Sequence, residues 1–191
     1  VAANLKSKIA LLGPFLGLIF VILIFAILTG DPQKFLSPFN VRIVLSQTVI
    51  VAIGAIGMTM IIISGGIDLA VGSTIALTGV ATALTINAGY DPLIAVAVGI
   101  LVGALIGMVN GVGITLLRVV PFIATLGMLG IARGVAKMFS NQQPVNVEAT
   151  WVNDLVVTMP NPSWLLVSAG VWITLVLAIL MEVILRKTVL G

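Results

Sequence analysis

Neither cysteine nor histidine occurs in the 191 residues. Without cysteine there is no disulfide scaffold, thiol nucleophile, zinc knuckle or Fe–S ligation. Without histidine the commonest general base and the commonest metal ligand are gone. Charge is almost as scarce: six acidic and nine basic side chains amount to 8% of the sequence against 60% hydrophobic residues, where a soluble domain carries about 25% charged residues. A globule of this length cannot hide so much apolar surface from water, and mean hydropathy stands at +1.30. These figures exclude an ordinary cytosolic domain, a disordered tail and a nucleic-acid binder. The pI of about 9.7 rests on a net charge of only +3, with no basic run. No HExxH, Ser-His pair or GxxxxGK[ST] loop is present, so no ATP-hydrolysing site is encoded and no metal or cofactor is expected. The composition is that of a membrane protein.

Residues 9–30, 43–67, 69–90, 92–117 and 155–181 carry no charged side chain, and each run reaches the roughly 20 residues that a spanning helix needs. A sixth, 119–136, is interrupted only by Arg133. No strict polar alternation of the barrel kind appears. The expected fold class is therefore all-α membrane: a polytopic helical bundle with about six spans, in a single domain over 1–191. The first run is flanked by Lys6 and Lys8 like a secretory signal, but it is too long and ends Leu28-Thr29-Gly30-Asp31 without a small-x-small cleavage site, so it reads as a retained span. The chain opens on Val1 rather than Met, so residues are expected to precede it.

Positive charge flanking the spans favours a cytoplasmic amino terminus, with Lys6, Lys8, Arg118, Arg186 and Lys187 inside and Lys34, Arg42 and Lys137 outside. The longest polar stretch, 138–163, then lies outside, with Asn141-Gln142-Gln143-Pro144 near its start. Its Trp151 and the adjacent Trp164 sit where aromatic belts are expected. Asn161-Pro162-Ser163 is no glycosylation acceptor, because proline blocks it.

Three features exceed what lipid demands. Gly99, Gly103, Gly107 and Gly111 recur every fourth residue, forming one stripe of a helix. Such a stripe lets helix backbones approach closely, replacing the hydrophobic drive that lipid removes. Glycine is also simply common in membrane helices. Close packing is the expectation, and Gly103→Leu or Gly107→Leu is expected to disrupt assembly.

The second feature is Ser64-Gly65-Gly66-Ile67-Asp68-Leu69-Ala70-Val71-Gly72-Ser73, the short interruption between two long apolar runs. Gly65-Gly66 breaks a helix, and Asp68 is an acid at the membrane edge or within it. Two readings stand: Asp68 caps the next helix by accepting from the Ala70 or Val71 amide, or it touches cargo or gate. They overlap, since broken helices at membrane depth survive only against protein or a wet cavity. The third feature is Arg118-Val119-Val120-Pro121-Phe122: Pro121 suits a first helical turn, and Arg118 reads as an anchor. The helix that follows carries Thr125, Gly127, Gly130 and Gly134. Arg133 reads as snorkelling to the interface. Asn110 reads more readily as an interhelical hydrogen-bonding group than as a cargo ligand.

The segment Ser64–Ser73 resembles the (S)GGIDLSVGS signature of ribose-type ABC importer permeases, within the branched-chain-amino-acid and ribose permease superfamily. Further blocks similar to that family are Gly103-Ala104-Leu105-Ile106-Gly107 through Asn110-Gly111, Pro121-Phe122-Ile123-Ala124-Thr125-Leu126-Gly127, Ile131-Ala132-Arg133-Gly134 and Gln143-Pro144-Val145, in the family's order. The resemblance covers about residues 40–145, and Ala70 stands where serine is common. It implies a non-enzymatic permease that dimerises, as homo- or heterodimer, around a central pathway in the bacterial plasma (inner) membrane. Partner cytoplasmic ABC ATPases would bind the ATP, and an extracytoplasmic sugar-binding protein would deliver a ribose-like pentose or a hexose. Family members carry a cytoplasmic ATPase-docking loop beyond the position of Arg186–Gly191, so this chain is expected to be an amino-terminal fragment of a longer permease. Ser64, Gly65, Gly66, Asp68, Ser73, Asn110 and Thr125 are candidates for the pathway or its gate; Asn141, Gln142, Gln143 and Pro144 are candidates for the loop facing the binding protein. From the residues alone, an ion-coupled secondary transporter or channel using Asp68 is the alternative. An intramembrane enzyme is poorly supported, because its polar groups would have to converge.

Overall fold

The computed structural model describes residues 2–160 and 162–187, with the side chains of 2–11 and 163 outside the described set; Lys6, Lys8, Asn161 and the segment Thr188–Gly191 are thus not addressed further. Every regular element among the described residues is helical: α1 (Ala2–Leu28), α2 (Pro32–Phe35), α3 (Pro38–Ile63), α4 (Val71–Asn87), α5 (Pro92–Thr115), α6 (Pro121–Phe139), α7 (Trp151–Asp154) and α8 (Ala169–Lys187). The sequence writes the helix boundaries in proline and glycine. Pro32, Pro38, Pro92 and Pro121 each stand at a first turn, where the missing amide hydrogen has no intrahelical partner to lose. The Asp91 carboxylate accepts from the Leu93 amide at 2.8 Å, and the Ser37 hydroxyl from the Asn40 amide at 3.3 Å.

Helix α3 ends on a Schellman motif. Gly65, at φ +81°, donates to Ile62 O at 3.0 Å, and Gly66 donates to Ile61 O at 2.9 Å. The α4 stop repeats this with Gly89 at φ +85°. The α6 stop does so with Asn141, whose amide donates to Met138 O at 3.3 Å while Gln142 donates to Lys137 O at 2.9 Å.

Two runs differ from expectation. The stretch 155–181 is not one span: regular helix begins at Ala169, and 155–160 and 162–168 are irregular apart from one 3-10 turn. Pro160 and Pro162 remove two amide donors there, and Leu166 takes φ +61°. Hydropathy cannot see this, because an apolar loop and an apolar helix score alike. The run 69–90 yields a helix of only 17 residues, about 26 Å at 1.5 Å per residue, since the Asp68 turn and the Gly89 stop trim both ends. Among the described residues four helices, α3, α5, α6 and α8, are long and apolar enough to cross a membrane, and Leu12–Leu28 and α4 are shorter apolar stretches.

Helices α4, α5 and α6 pack on one another, and α3 packs on α8. The contacts are made by small residues. Ala70, Ala95, Ala132 and Ala136 are buried with Ser46, Ser73 and Thr125, while most large aliphatic side chains point outward, Val49 and Met128 excepted. That inversion suits lipid, where small surfaces that allow close backbones are what hold helices together. At the start of α8, the Gly170 amide donates to Leu155 O at 2.6 Å, and a Cβ there would meet Val49 Cγ1 of α3 at 3.1 Å.

Candidate functional site

The turn 64–70 is held from two sides. Asp68 Oδ1 accepts from the Ala70 amide at 2.7 Å, which closes the approach to α4, whose first residue is Val71. Of the two amides expected to meet Asp68, Ala70 is the one that does. From α6, the Thr125 hydroxyl lies 3.1 Å from Ile67 O and 2.9 Å from Pro121 O, and the residue is 2% exposed. One hydroxyl has one proton, so it donates to one carbonyl at a time and ties the non-helical turn to the first turn of α6.

Beside this turn lie three abutting cavities. One, of about 370 Å³, is walled by Ser64–Asp68, by Gly107, Asn110 and Gly111 of α5, and by Pro121 and Thr125 of α6. A second, of about 380 Å³, lies between α3 (Ile50 to Ile61), Val71 and Thr74 of α4, and Gly103 to Asn110 of α5. Ile61, Asp68, Gly107 and Asn110 belong to both walls. A third, about 640 Å³, continues past Ile50, Ile75 and Gly103 towards Thr78, Thr82 and the segment 147–155. Their sizes fall in the range of small-molecule sites.

Ser64, Gly65, Gly66, Asp68, Asn110 and Thr125 therefore meet around one cavity, while Ser73 is buried on α4 and lines none of the three. The glycine stripe divides along α5. A Cβ at Gly99 would collide with Thr82 Oγ1, and one at Gly103 would meet Thr78 Cγ2 at 3.4 Å; at Gly107 and Gly111 nothing lies within 4 Å. The upper pair thus faces α4 closely, and the lower pair opens onto cavity. Asn141, Gln142, Gln143 and Pro144 are exposed beyond α6, with Asn141 and Gln142 at φ +50° and +58°; the neighbouring Asn146 O accepts from Asn87 Nδ2 at 3.0 Å, tying this loop to the end of α4. Missed at the level of sequence were Thr74, Thr78 and Thr82 on α4, whose i, i+4 spacing puts a row of hydroxyls on the cavity side. Thr78 and Thr82 each donate back to a carbonyl of their own helix, at 2.9 Å, which leaves oxygen lone pairs as acceptors. No group of acidic residues able to hold a metal occurs among the described residues.

Residues 40–191 match the family described as "Branched-chain amino acid transport system / permease component". The ribose import permease protein of Escherichia coli (strain K12) is 38% identical over 157 residues, 78% of this chain and 49% of that protein. Its Bacillus subtilis (strain 168) counterpart is 38% identical over 134 residues, 70% of this chain and 41% of that protein. The autoinducer 2 import system permease protein of Salmonella typhi is 32% identical over 177 residues, 91% and 49% respectively. This chain spans about half the length of these relatives. No solved structure matches it.

Proposed function

Since this chain belongs to the branched-chain amino acid transport system / permease component family, we propose that it is part of the membrane subunit of an ABC importer for a ribose-like pentose or a hexose. Two permease subunits form the conduit, cytoplasmic ABC ATPases drive it, and an extracytoplasmic binding protein delivers the sugar through contacts with the loop after α6. The reading places the protein in the bacterial inner membrane with a cytoplasmic amino terminus. The observation that carries it is the meeting of the helix break, Asp68, Asn110 and Thr125 around one cavity between helices. A conduit needs this arrangement: polar groups along a wet path, backed by helices whose outer faces meet lipid. Coupling follows from differential affinity, because nucleotide on the ATPases favours one of two helix arrangements and its hydrolysis the other. The chain makes and breaks no covalent bond. Weak contacts along the path fit this work, since a site that held cargo tightly would release it slowly.

The test is reconstitution of the full-length permease with its ATPase and binding protein in proteoliposomes. Uptake of radiolabelled D-ribose, D-xylose or D-galactose that requires ATP supports the proposal. Uptake by the permease alone, driven by a proton or sodium gradient, overturns it in favour of an ion-coupled carrier.

A further inference from the structure

Among the described residues Ser168 Oγ is the fully enclosed side-chain atom without a partner, whereas the amide of Asn110 lacks a partner but opens onto cavities. Asn110 is 9% exposed, deep in α5, and its side-chain amide makes no hydrogen bond to any described residue. Burying an amide without partners is unfavourable by itself, and no described residue supplies one, but the amide atoms are not fully enclosed. Asn110 forms part of the common wall of the two cavities on either side of it, together with Asp68. Asp68 uses Oδ1 on the Ala70 amide. Its other oxygen has no partner, and no lysine or arginine pairs with it among the described residues, where the ion pairs are Lys34–Asp31 and Arg186–Glu182. Beside them Gly107 and Gly111 leave space that any side chain would occupy. The rest of both walls is largely aliphatic or backbone.

We propose that the Asp68 carboxylate and the Asn110 amide form a hydroxyl-binding neck between the two cavities, which holds a vicinal diol of the cargo as it passes. A carboxylate oxygen accepts from hydroxyls, and a carboxamide both donates and accepts, so together they match the two faces of a diol. Hydrogen bonds to an ionised acceptor are the stronger kind. Aliphatic walls on either side bind hydroxyls poorly, so the neck is where a polyol is distinguished from a less hydroxylated solute. A site built to bond a hydroxyl rejects the analogue lacking it because its own buried groups are then left unpaired.

This inference rests on the transport reading, and the experiment separates the two. Uptake of radiolabelled D-ribose and 2-deoxy-D-ribose is measured in the reconstituted full-length complex, with D-xylose and D-galactose and their deoxy analogues as parallel probes. The wild type is compared with Asp68→Asn, which keeps an acceptor for the Ala70 amide, and with Asn110→Leu. The same binding protein serves every sample, so its own discrimination cancels when the parent-to-deoxy ratio of each variant is divided by that of the wild type. The expected result is a fall of about tenfold in that ratio for Asp68→Asn, the scale of one lost charge-assisted hydrogen bond, with a fall in the same sense for Asn110→Leu. A ratio equal to the wild type's in Asp68→Asn overturns the neck, as does equal loss of parent and deoxy sugar, since a gating or structural role would depress both alike. If Asn110→Leu does not fold, Asp68→Asn decides alone. Should the wild-type complex take up none of the sugars with ATP, the transport reading itself falls and the neck falls with it.

Discussion

Thr125 shows how one side chain can hold an irregular segment in place. Ile67 O belongs to no helix, and the Thr125 hydroxyl 3.1 Å away is a donor able to satisfy it from a neighbouring element. Interhelical hydrogen bonds in membranes contribute on the order of 1 kcal/mol, and the orphaned carbonyl adds to the loss. Thr125→Val, matched in shape, is therefore expected to lower the stability of the full-length permease by about 1–2 kcal/mol. Thr125→Ser is expected to restore most of it, read by thermal unfolding in detergent. Equal unfolding temperatures for Val and wild type would remove the tie from the account. Thr125 was legible in the sequence as a small polar residue on a glycine-rich face; its partner was not, because no local pattern brings residue 67 to residue 125. Asp68 was more legible: a carboxylate two residues before an amide it can reach forms a local bond, which left open which amide it meets and whether it also touches cargo or gate.

Helix ends were the most readable elements, since proline at a first turn and glycine at a left-handed stop are statements about single backbone positions. Helix faces were less readable. The stripe Gly99–Gly103–Gly107–Gly111 has one period in sequence, yet it meets Thr82 and Thr78 at one end and open space at the other. Glycine spacing reports that no side chain stands there, and the cause can be a neighbouring helix or a passage. The two cases separate on substitution. Gly99→Leu must displace Thr82, whose hydroxyl is held on Thr78 O, so overpacking of roughly 1–3 kcal/mol is expected, seen as aggregated or poorly expressed permease. For Gly107→Leu the open space beside the residue replaces the spacing-based expectation of disrupted assembly: folded, monodisperse protein whose ATP-driven uptake is blocked is expected, because the side chain enters the space shared by the two cavities. A folded and active Gly107→Leu permease would assign that space to something other than transit. The apolar residues before α8 show the opposite weakness: composition pointed to a span, whereas two prolines and a left-handed Leu166 interrupt regular helix before Ala169.

At the scale of the whole molecule, the accessible surface is 13467 Å², whereas a compact soluble monomer of 19.8 kDa would expose about 8600 Å². Most of the large aliphatic and aromatic side chains are exposed, and the buried positions are mainly alanine, serine, threonine and glycine, with Val49, Met128 and Asn110 besides, which is how helices associate when lipid supplies no hydrophobic drive. Short connections fix how the helices alternate: the turns 64–70 and 116–120 lie at one end, where they flank one cavity, with 88–91 and the loop after α6 at the other, tied by Asn87 to Asn146. Arg118, at φ +54°, stands at the first end, and Lys137 closes α6 at the second. Which end faces the cytoplasm follows from a small excess of positive charge and can be measured directly. The absence of cysteine makes single-cysteine scanning direct once any cysteines elsewhere in the parent permease are replaced. Leu117→Cys and Asn141→Cys place one thiol at each end, at exposed positions. With a cytoplasmic amino terminus, a membrane-impermeant maleimide is expected to label Asn141→Cys in intact spheroplasts and Leu117→Cys in inverted vesicles. The reverse pattern would turn the permease over. The loop after α6 would then face the ATPase, and the Asp68 turn would open towards the binding protein, which would exchange the roles proposed for the two ends.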